Sequence, residues 1–456
     1  MNIHVIILAA GQGSRMKSAL PKVLHPIAGR SMLEHVLSAS ESIPGTNQST
    51  HVVIGHGADK VRERLAHVSV NWIEQTEQLG TGHAVMQAAT ACEGADVVLV
   101  LYGDVPMIRP NTLNALVSAC GGENLALLTV DLANPSGYGR IVRDELGAIL
   151  AIVEDKDATH EQKAITETNT GIMAIPGTRL HPWLNSLTND NAQGEYYLTD
   201  IVAMAVAEGT SVVNARPGSE MEVQGVNNRA QQAQLERLLQ LRNAEQLMND
   251  GVTLMDPARL DVRGTLTCGS DVVIDINCVF EGKVVLGDGI EIGPNCHIKD
   301  ALIHSGTVIK ANSVIEDAVV GELCDVGPFA RLRPGTKLEQ KAKVGNFVET
   351  KKVVIGAGSK VNHLSYIGDA EVGSGVNIGA GTITCNYDGA NKFKTTIADG
   401  AFIGSNTALV APVSIGKDAL VGAGSTVTSD VPDEHLGVAR GRQRNISGWK
   451  KPVKQS

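Results

Sequence analysis

From residue 274 onward the chain places an apolar side chain at every sixth position, and that spacing limits the folds open to it more than any other feature. One series runs Ile274, Phe280, Leu286, Ile292, Ile298. A second runs Leu302, Val308, Val314, Val320, Val326, Leu332, Leu338, Val344, and a third Ile397, Ile403, Leu409, Ile415, Val421, Val427. Six matches neither the period of an amphipathic helix nor that of a half-buried strand. It is the period of a β-helix solenoid, in which each apolar residue points into a narrow prism. Between Leu286 and Val421 twelve Val, Ile and Leu residues are followed directly by glycine, as at Leu286, Val326 and Ile403, which leaves room at the coil corners. Register slips around 298–302, 344–355, 367–372 and 384–397 mark inserted residues. In such arrays insertions map to loops on one face, often the binding face.

The composition is split to match. Of 49 glycines, 28 follow residue 250, as do all five phenylalanines. Hydrophobic residues make up 43% of the chain but aromatics only 3%, so the cores are aliphatic. A length of 456 predicts about three domains. A solenoid grows by repetition, however, so two are expected: 1–229 and 251–456, joined by a helix over 230–250.

The first half alternates strands with helices. HVIILAA (4–10), HVVIGH (51–56), VNWIEQ (70–75) and DVVLVLYGD (96–104) read as strands; 30–40, 58–66 and 81–91 read as helices. Near-continuous apolar strands alternating with helices predict an α/β fold with a mainly parallel sheet. Residues 226–249 hold neither proline nor glycine and read as one long helix ending at Gly251.

A net charge of −10 argues against nucleic acid as a general partner. No run approaches the about 18 apolar residues of a membrane helix, and the N-terminus reads as a core strand rather than a secretory leader. The seven cysteines (92, 120, 268, 278, 296, 324, 385) form no C-x-x-C pair and fit free thiols in a reducing cytoplasm.

Two places carry chemistry. LAAGQGSRM (8–16) follows a strand and is expected to precede a helix, with Gly11 and Gly13 letting amides approach phosphate. It is neither a Walker loop nor G-x-G-x-x-G, since Met16 stands where the third glycine belongs. Arg15 and Lys22 are spaced to reach a phosphate; the alternative is two solvated cations. Asp104, closing a strand at YGD, suits Mg²⁺ held with substrate phosphates, or simply a turn. In the second half His363 lies at a register slip. A coil of three hexapeptides has about 18 residues, so Arg333 and Lys351 stack on one edge and make a sugar-phosphate site. A scaffold with no chemistry is the competing reading. In the TITCNYDGANKFK insertion (382–394) Cys385 reads as a packed thiol, with no partner for a nucleophilic role. The tail cations Arg440, Arg442, Arg444, Lys450, Lys451 and Lys454 read as a solvated tail, without the interleaved aromatics of a nucleic-acid surface.

LAAGQGSRM with Pro21-Lys22 resembles the signature of sugar-phosphate nucleotidyltransferases. EQLGTGHA (77–84), YGD (102–104), GYGR (137–140), NTG (169–171), NAQGEYYLTD (191–200) and GVNN (225–228) narrow the resemblance. They are similar to segments of the bacterial bifunctional N-acetylglucosamine-1-phosphate uridylyltransferase/glucosamine-1-phosphate acetyltransferases. Ser14 stands where Thr is commoner, and Gln12 where Lys is frequent.

The resemblance implies a Rossmann-like nucleotidyltransferase domain, a long linker helix and a left-handed parallel β-helix that trimerises. It implies that Leu8, Ala9, Ala10 and Gly11 face UTP, and that Gln75, Gly80 and Thr81 read uracil. Tyr102, Gly103, Gly139, Glu154 and Asn169 would hold ribose or N-acetylglucosamine 1-phosphate. Asp104 and Asn227 would ligate Mg²⁺, with Arg15 and Lys22 balancing charge. For the second half it implies His363 as general base, with Arg333, Lys351, Tyr366 and Asn377 binding glucosamine 1-phosphate. Ala380, Asn386, Tyr387, Ser405, Ala423 and Arg440 would line the acetyl-CoA groove, and the 382–394 insertion would reach a neighbouring subunit. A nucleotidyltransferase whose β-helix only oligomerises, and a sugar-nucleotide-binding scaffold, are the rival readings.

Overall fold

The computed structural model describes residues 1–43, 47–452 and 454. The end of the tail (Val453, Gln455, Ser456) lies outside the described residues. The chain forms two compact units, Met1–Leu239 and Gln240–Ser456.

In the first unit a central sheet carries Asn2–Ala9 between Asn47–Ile54 and Val97–Tyr102, all parallel, with Asn71–Glu74 beyond Asn47–Ile54. Asn2–Ala9 and Val97–Tyr102 are buried almost throughout because helices cover both faces. On the other side of Val97–Tyr102 the strand Glu167–Pro176 runs antiparallel, so the sheet is mixed. The chain leaves Asn2–Ala9 towards one edge and then returns to pair Val97–Tyr102 on the other side. That reversal opens a crevice beyond the carboxyl ends of these two strands, the usual ligand position in such sheets.

The glycine loop departs from expectation. It opens no α-helix; only a single 3₁₀ turn, Ser14–Met16, follows it. Left-handed residues at Gly13 and Lys17 bracket that turn and stop it. The first α-helix is Met32–Glu41, started by a Ser31/Glu34 capping box. Met16, in place of the third glycine, is 1% exposed and packs with Ile27, Met32, Leu235 and Leu239. The helix Arg229–Asn249 therefore contributes Leu235 and Leu239 to the first core, and the division between units falls within it. Gly251 follows it with φ 98°, a conformation glycine adopts freely where a helix ends.

The second unit is a parallel β-helix. Among the described residues, eleven short strands from Thr253–Leu254 to Leu436–Gly437 make one sheet, and thirteen make another whose members supply the remaining faces of the prism. Each coil hydrogen-bonds to the next in register, as Leu332 to Thr350 and Thr350 to Ile367. The first apolar series is buried as expected, from Ile274 to Ile298. The start of the second is not. Leu302 and Val314 are each 37% exposed, and Ile303, Ile309 and Ile315 fill the prism instead at 0%. The unbroken series begins at Val320. The reason is a short side: Asp300 and Asp317 turn the corner in the left-handed region, so five residues rather than six separate Ile298 from Ile303 and Ile315 from Val320. A slip at Ile315/Val320 thus joins those seen in the sequence. No helix among the described residues is long and apolar enough to cross a membrane, and all seven cysteines are unpaired.

Candidate functional site

The first unit's crevice is a cleft of about 250 Å³. Leu8, Ala9, Ala10, Gly11, Lys22, Gln75, Gly80, Thr81, Tyr102 and Asp104 line it, ten of the residues singled out from the sequence. Gly103 lies beside them, its N–H on the Leu8 carbonyl at 2.9 Å. Gln78, Ala84 and Glu195 also line the cleft and carried no assignment. Gln78 Nε2 donates to the Ala10 carbonyl at 3.1 Å and braces the loop. Its signal was a second glutamine three residues after Gln75, on the same approach. Gly80 has φ 107°, and a Cβ there would fall 2.7 Å from the Tyr196 carbonyl oxygen. Only glycine lets this loop close against that segment.

Four polar side chains meet at one edge of the cleft. The Lys22 ammonium pairs with Asp104 Oδ2 and donates to Asn227 Oδ1 at 2.8 Å. Arg15 Nη2 donates to the same Asn227 oxygen at 2.9 Å. Gly13 makes the Lys22 approach possible, since a Cβ there would sit 2.6 Å from Lys22 Cβ. Asn227 is fixed through its backbone N–H, which Gln231 Oε1 accepts at 2.7 Å; Asn228 next to it caps the following helix. The second asparagine of GVNN thus starts the helix while the first presents its amide oxygen. A carboxylate and an amide oxygen converging on one cation form a hard oxygen donor set, the type Mg²⁺ takes together with phosphate oxygens. The ammonium that now bridges them shows that the position accepts positive charge.

Beyond Tyr102 lies the second part of the cleft. Burial, then the charges of Glu154 and Asp104, push the Tyr102 phenol far up, so the ring stays neutral between the two carboxylates. Asn169 N–H donates to the Gly139 carbonyl at 2.8 Å, and Gly139 lies against the Glu154 carboxylate. Burial pushes Glu154 above the ordinary carboxylate range. Asp200, Asp157 and Asp155 push the same way, and a 3.1 Å hydrogen bond from the Thr199 hydroxyl opposes them. Gly139, Glu154 and Asn169 thus lie side by side as a polar cluster.

On the solenoid the register sorts the remaining residues. Arg331, Glu349 and Tyr366 stack in one column, and Lys351 stacks on Gly368 beside them. Arg333 N–H donates to the Thr350 carbonyl, one coil on, and its guanidinium holds Glu349 at 2.7 Å. Lys392, then Arg333, hold the Lys351 ammonium below its ordinary value. Glu349 offsets one of these three cations, and among the described residues no acid is paired with Lys351 or Lys392, an excess of positive charge that invites a phosphate. Asn377 is not on this face; it pairs with Lys360 in the eleven-stranded sheet. His363 ends the strand Lys360–His363 of that sheet, at the corner before Tyr366.

Ala380, Ser405 and Ala423 climb the same corner above His363, with Gly381 N–H on the His363 carbonyl, Asn406 N–H on the Ala380 carbonyl and Gly424 N–H on the Ser405 carbonyl. Arg440 closes this ladder by donating to the Ala423 carbonyl at 2.6 Å. Asn386 is buried with its amide on Asp369, which braces the start of the 386–394 excursion. Tyr387 projects from it, 60% exposed. Glu349 and Lys392 were missed; only coil register and the excursion's return bring them here.

One further polar group lies elsewhere. His4, His51 and Cys92 gather near the opposite end of the sheet. His4 and His51 hydrogen-bond at 3.0 Å, Asn71 meets the other nitrogen of His51 at 3.3 Å, and burial pushes the Cys92 thiol up to about 12. The imidazoles satisfy each other and the thiol stays protonated, which is core packing.

Three family descriptions match parts of the chain: the MobA-like NTP transferase domain over 5–167, the GMPPB C-terminal domain over 262–338, and bacterial transferase hexapeptide repeats over 394–429. Among curated relatives, the "Bifunctional protein GlmU" of Marinobacter nauticus is 61% identical over 99% of both chains. The GlmU of Stutzerimonas stutzeri is 59% identical over 100% of both. That of Pseudomonas entomophila is 60% identical over 100% of this chain and 99% of its own.

Proposed function

The chain belongs to the GlmU family of bifunctional proteins, and from that membership we propose that it makes UDP-N-acetylglucosamine in two steps on two units. The amine of glucosamine 1-phosphate attacks the thioester carbon of acetyl-CoA on the solenoid. The phosphate oxygen of N-acetylglucosamine 1-phosphate then attacks the α-phosphorus of UTP in the cleft, and pyrophosphate leaves.

The convergence of Arg15, Lys22, Asp104 and Asn227 carries the uridylyl assignment. Phosphoryl transfer needs in-line placement and charge neutralisation more than covalent chemistry. Asp104 and Asn227 would hold Mg²⁺, which supplies charge neutralisation when bound. Arg15 and Lys22 turn from Asn227 to the phosphates, Arg15 towards the leaving pyrophosphate. Leu8, Ala9, Ala10 and Gly11 bed the nucleotide, and Gln75, Gly80 and Thr81 pair the uracil edge, which excludes bases that leave those groups unpaired. Glu154 and Asn169 accept and donate to sugar hydroxyls against Gly139, and Tyr102 and Gly103 wall the ribose.

In the acetyl transfer, Arg333 and Lys351 bind the phosphate of glucosamine 1-phosphate, with Tyr366 beside them and Asn377 across the corner. His363 takes the amine proton, backbone N–H groups steady the oxyanion, and the CoA thiolate leaves. Ala380, Asn386, Ser405, Ala423 and Arg440 line the acetyl-CoA groove, and Tyr387 covers it from the excursion. The cations Arg333 and Lys351 stand at one corner of the prism, and His363 with the Ala380, Ser405 and Ala423 ladder stands at another, a separation that supports completion between copies in a homotrimer. Seven unpaired thiols support a cytoplasmic setting.

A chelator separates the two chemistries. In excess EDTA, pyrophosphate release from UTP is expected to fall about 100-fold or more, while thiol release from acetyl-CoA continues at its original rate. Equal inhibition of both would remove the metal from its assigned unit.

A further inference from the structure

His363 is held on three sides. Its carbonyl accepts from the Ser365 hydroxyl at 2.8 Å and from Gly381 N–H at 3.3 Å. Its ring Nδ1 lies 2.8 Å from Asn346 Oδ1. Asn346 ends the strand Lys343–Asn346 and pairs with His363 in register, one coil below. Immediately after each of them the chain turns through a left-handed residue that is not glycine, Phe347 at φ 55° and Leu364 at φ 50°. Such corners are strained for bulky side chains. Both strands therefore end at the same corner, with the two side chains directly stacked. Among the described residues no protein group is recorded on His363 Nε2.

We propose that Asn346 is the positioning residue of the acetyl-transfer site, which rests on the reading of His363 as its base. An amide oxygen accepts and cannot donate, so Nδ1 must carry the hydrogen. The lone pair is then fixed on Nε2, the nitrogen left open to the amine of glucosamine 1-phosphate. Without Asn346 the neutral ring is free to take the other tautomer, whose Nε2–H cannot accept a proton. It is also free to rotate away from the sugar. A second group that fixes tautomer and ring direction is the usual support for a working imidazole. The charged and titratable side chains on the elements packed around it are Lys343 and Lys360 on the stacked strands, Glu349, Lys351 and Lys352 on Glu349–Ile355, and Tyr366, Asp369 and Glu371 on Tyr366–Val372. None is recorded as pairing with the ring among the described residues, so the amide is its one polar brace.

The test compares Asn346→Ala, Asn346→Asp and His363→Ala in the full-length chain, with uridylyl transfer followed in each as the check on folding. Asn346→Ala is expected to lower kcat for acetyl transfer about 10–100-fold with KM for acetyl-CoA unchanged. Asn346→Asp keeps the acceptor and adds a negative charge, which favours the imidazolium. It should restore most of kcat at high pH and move the acid limb of the pH–rate profile up by about one unit. An Ala variant within about threefold of the parent would overturn the proposal. So would an Asp variant as slow as Ala with the limb in place. If His363→Ala itself retains acetyl transfer, the fault lies with the base assignment; if it is inactive while both Asn346 variants are normal, only the positioning role fails.

Discussion

Replacing His363 with alanine is expected to reduce acetyl transfer about 10²–10⁴-fold, the contribution of a positioned general base, and to leave uridylyl transfer unchanged. The side chain is exposed at a coil corner and fills no core, so the fold does not depend on it. Its one recorded hydrogen bond, to Asn346, is at the surface. Thiol release from acetyl-CoA with glucosamine 1-phosphate reads the first activity, and pyrophosphate release with N-acetylglucosamine 1-phosphate and UTP reads the second. Loss of both in a folded protein would mean that the solenoid and the cleft do not work as separate sites.

Asp104→Ala should do the reverse. It removes one of two oxygen donors and the partner of Lys22, and a loss of about 4 kcal/mol in transition-state stabilisation corresponds to about 10³ in rate. Lys22 keeps its hydrogen bond to Asn227, so the ammonium is not left alone. Asp104→Asn holds the shape without the charge and should be nearly as slow. Acetyl transfer should be untouched in both. If Asp104→Asn turned over at the parent rate, the carboxylate would have no part in holding the metal.

The glycine loop and Asp104 were legible because they sit where a local rule puts them, whereas Gln75, Thr81 and Asn227 were reached only through the family resemblance. Ala9 and Tyr102 end buried strands, and beyond such ends ligands bind in α/β sheets. Gly13 and Gly80 answer to backbone angles that other residues rarely adopt. What local pattern does not give is convergence. Lys22 and Asn227 are 205 positions apart, and only closure of the fold brings the ammonium to the amide oxygen. The expectation of a helix after the glycine loop failed because Lys17 takes a left-handed angle that nothing in LAAGQGSRM announces.

In the solenoid the six-residue period revealed the architecture but not every register. Leu302, Val308 and Val314 keep the spacing and still face outward or sit at the rim, because a five-residue side shifts the inward positions by one. The same shortening hides Asn346. An eighteen-residue coil would set Gly345 beneath His363; the actual coil is 17 residues, and Asn346 lies there instead. The bond between Asn386 and Asp369 is hidden for a related reason: the insertion gives no register from which to read its partner.

The central claim is that one chain carries both transfers and that the product of the solenoid is the substrate of the cleft. The direct measurement supplies the full-length protein with acetyl-CoA, glucosamine 1-phosphate, UTP and Mg²⁺, and follows free thiol and pyrophosphate together. Thiol should appear first and pyrophosphate after a lag, the two reaching equal amounts, with no pyrophosphate when acetyl-CoA is withheld. Pyrophosphate released at full rate without acetyl-CoA, or thiol released with no pyrophosphate following, would contradict the account.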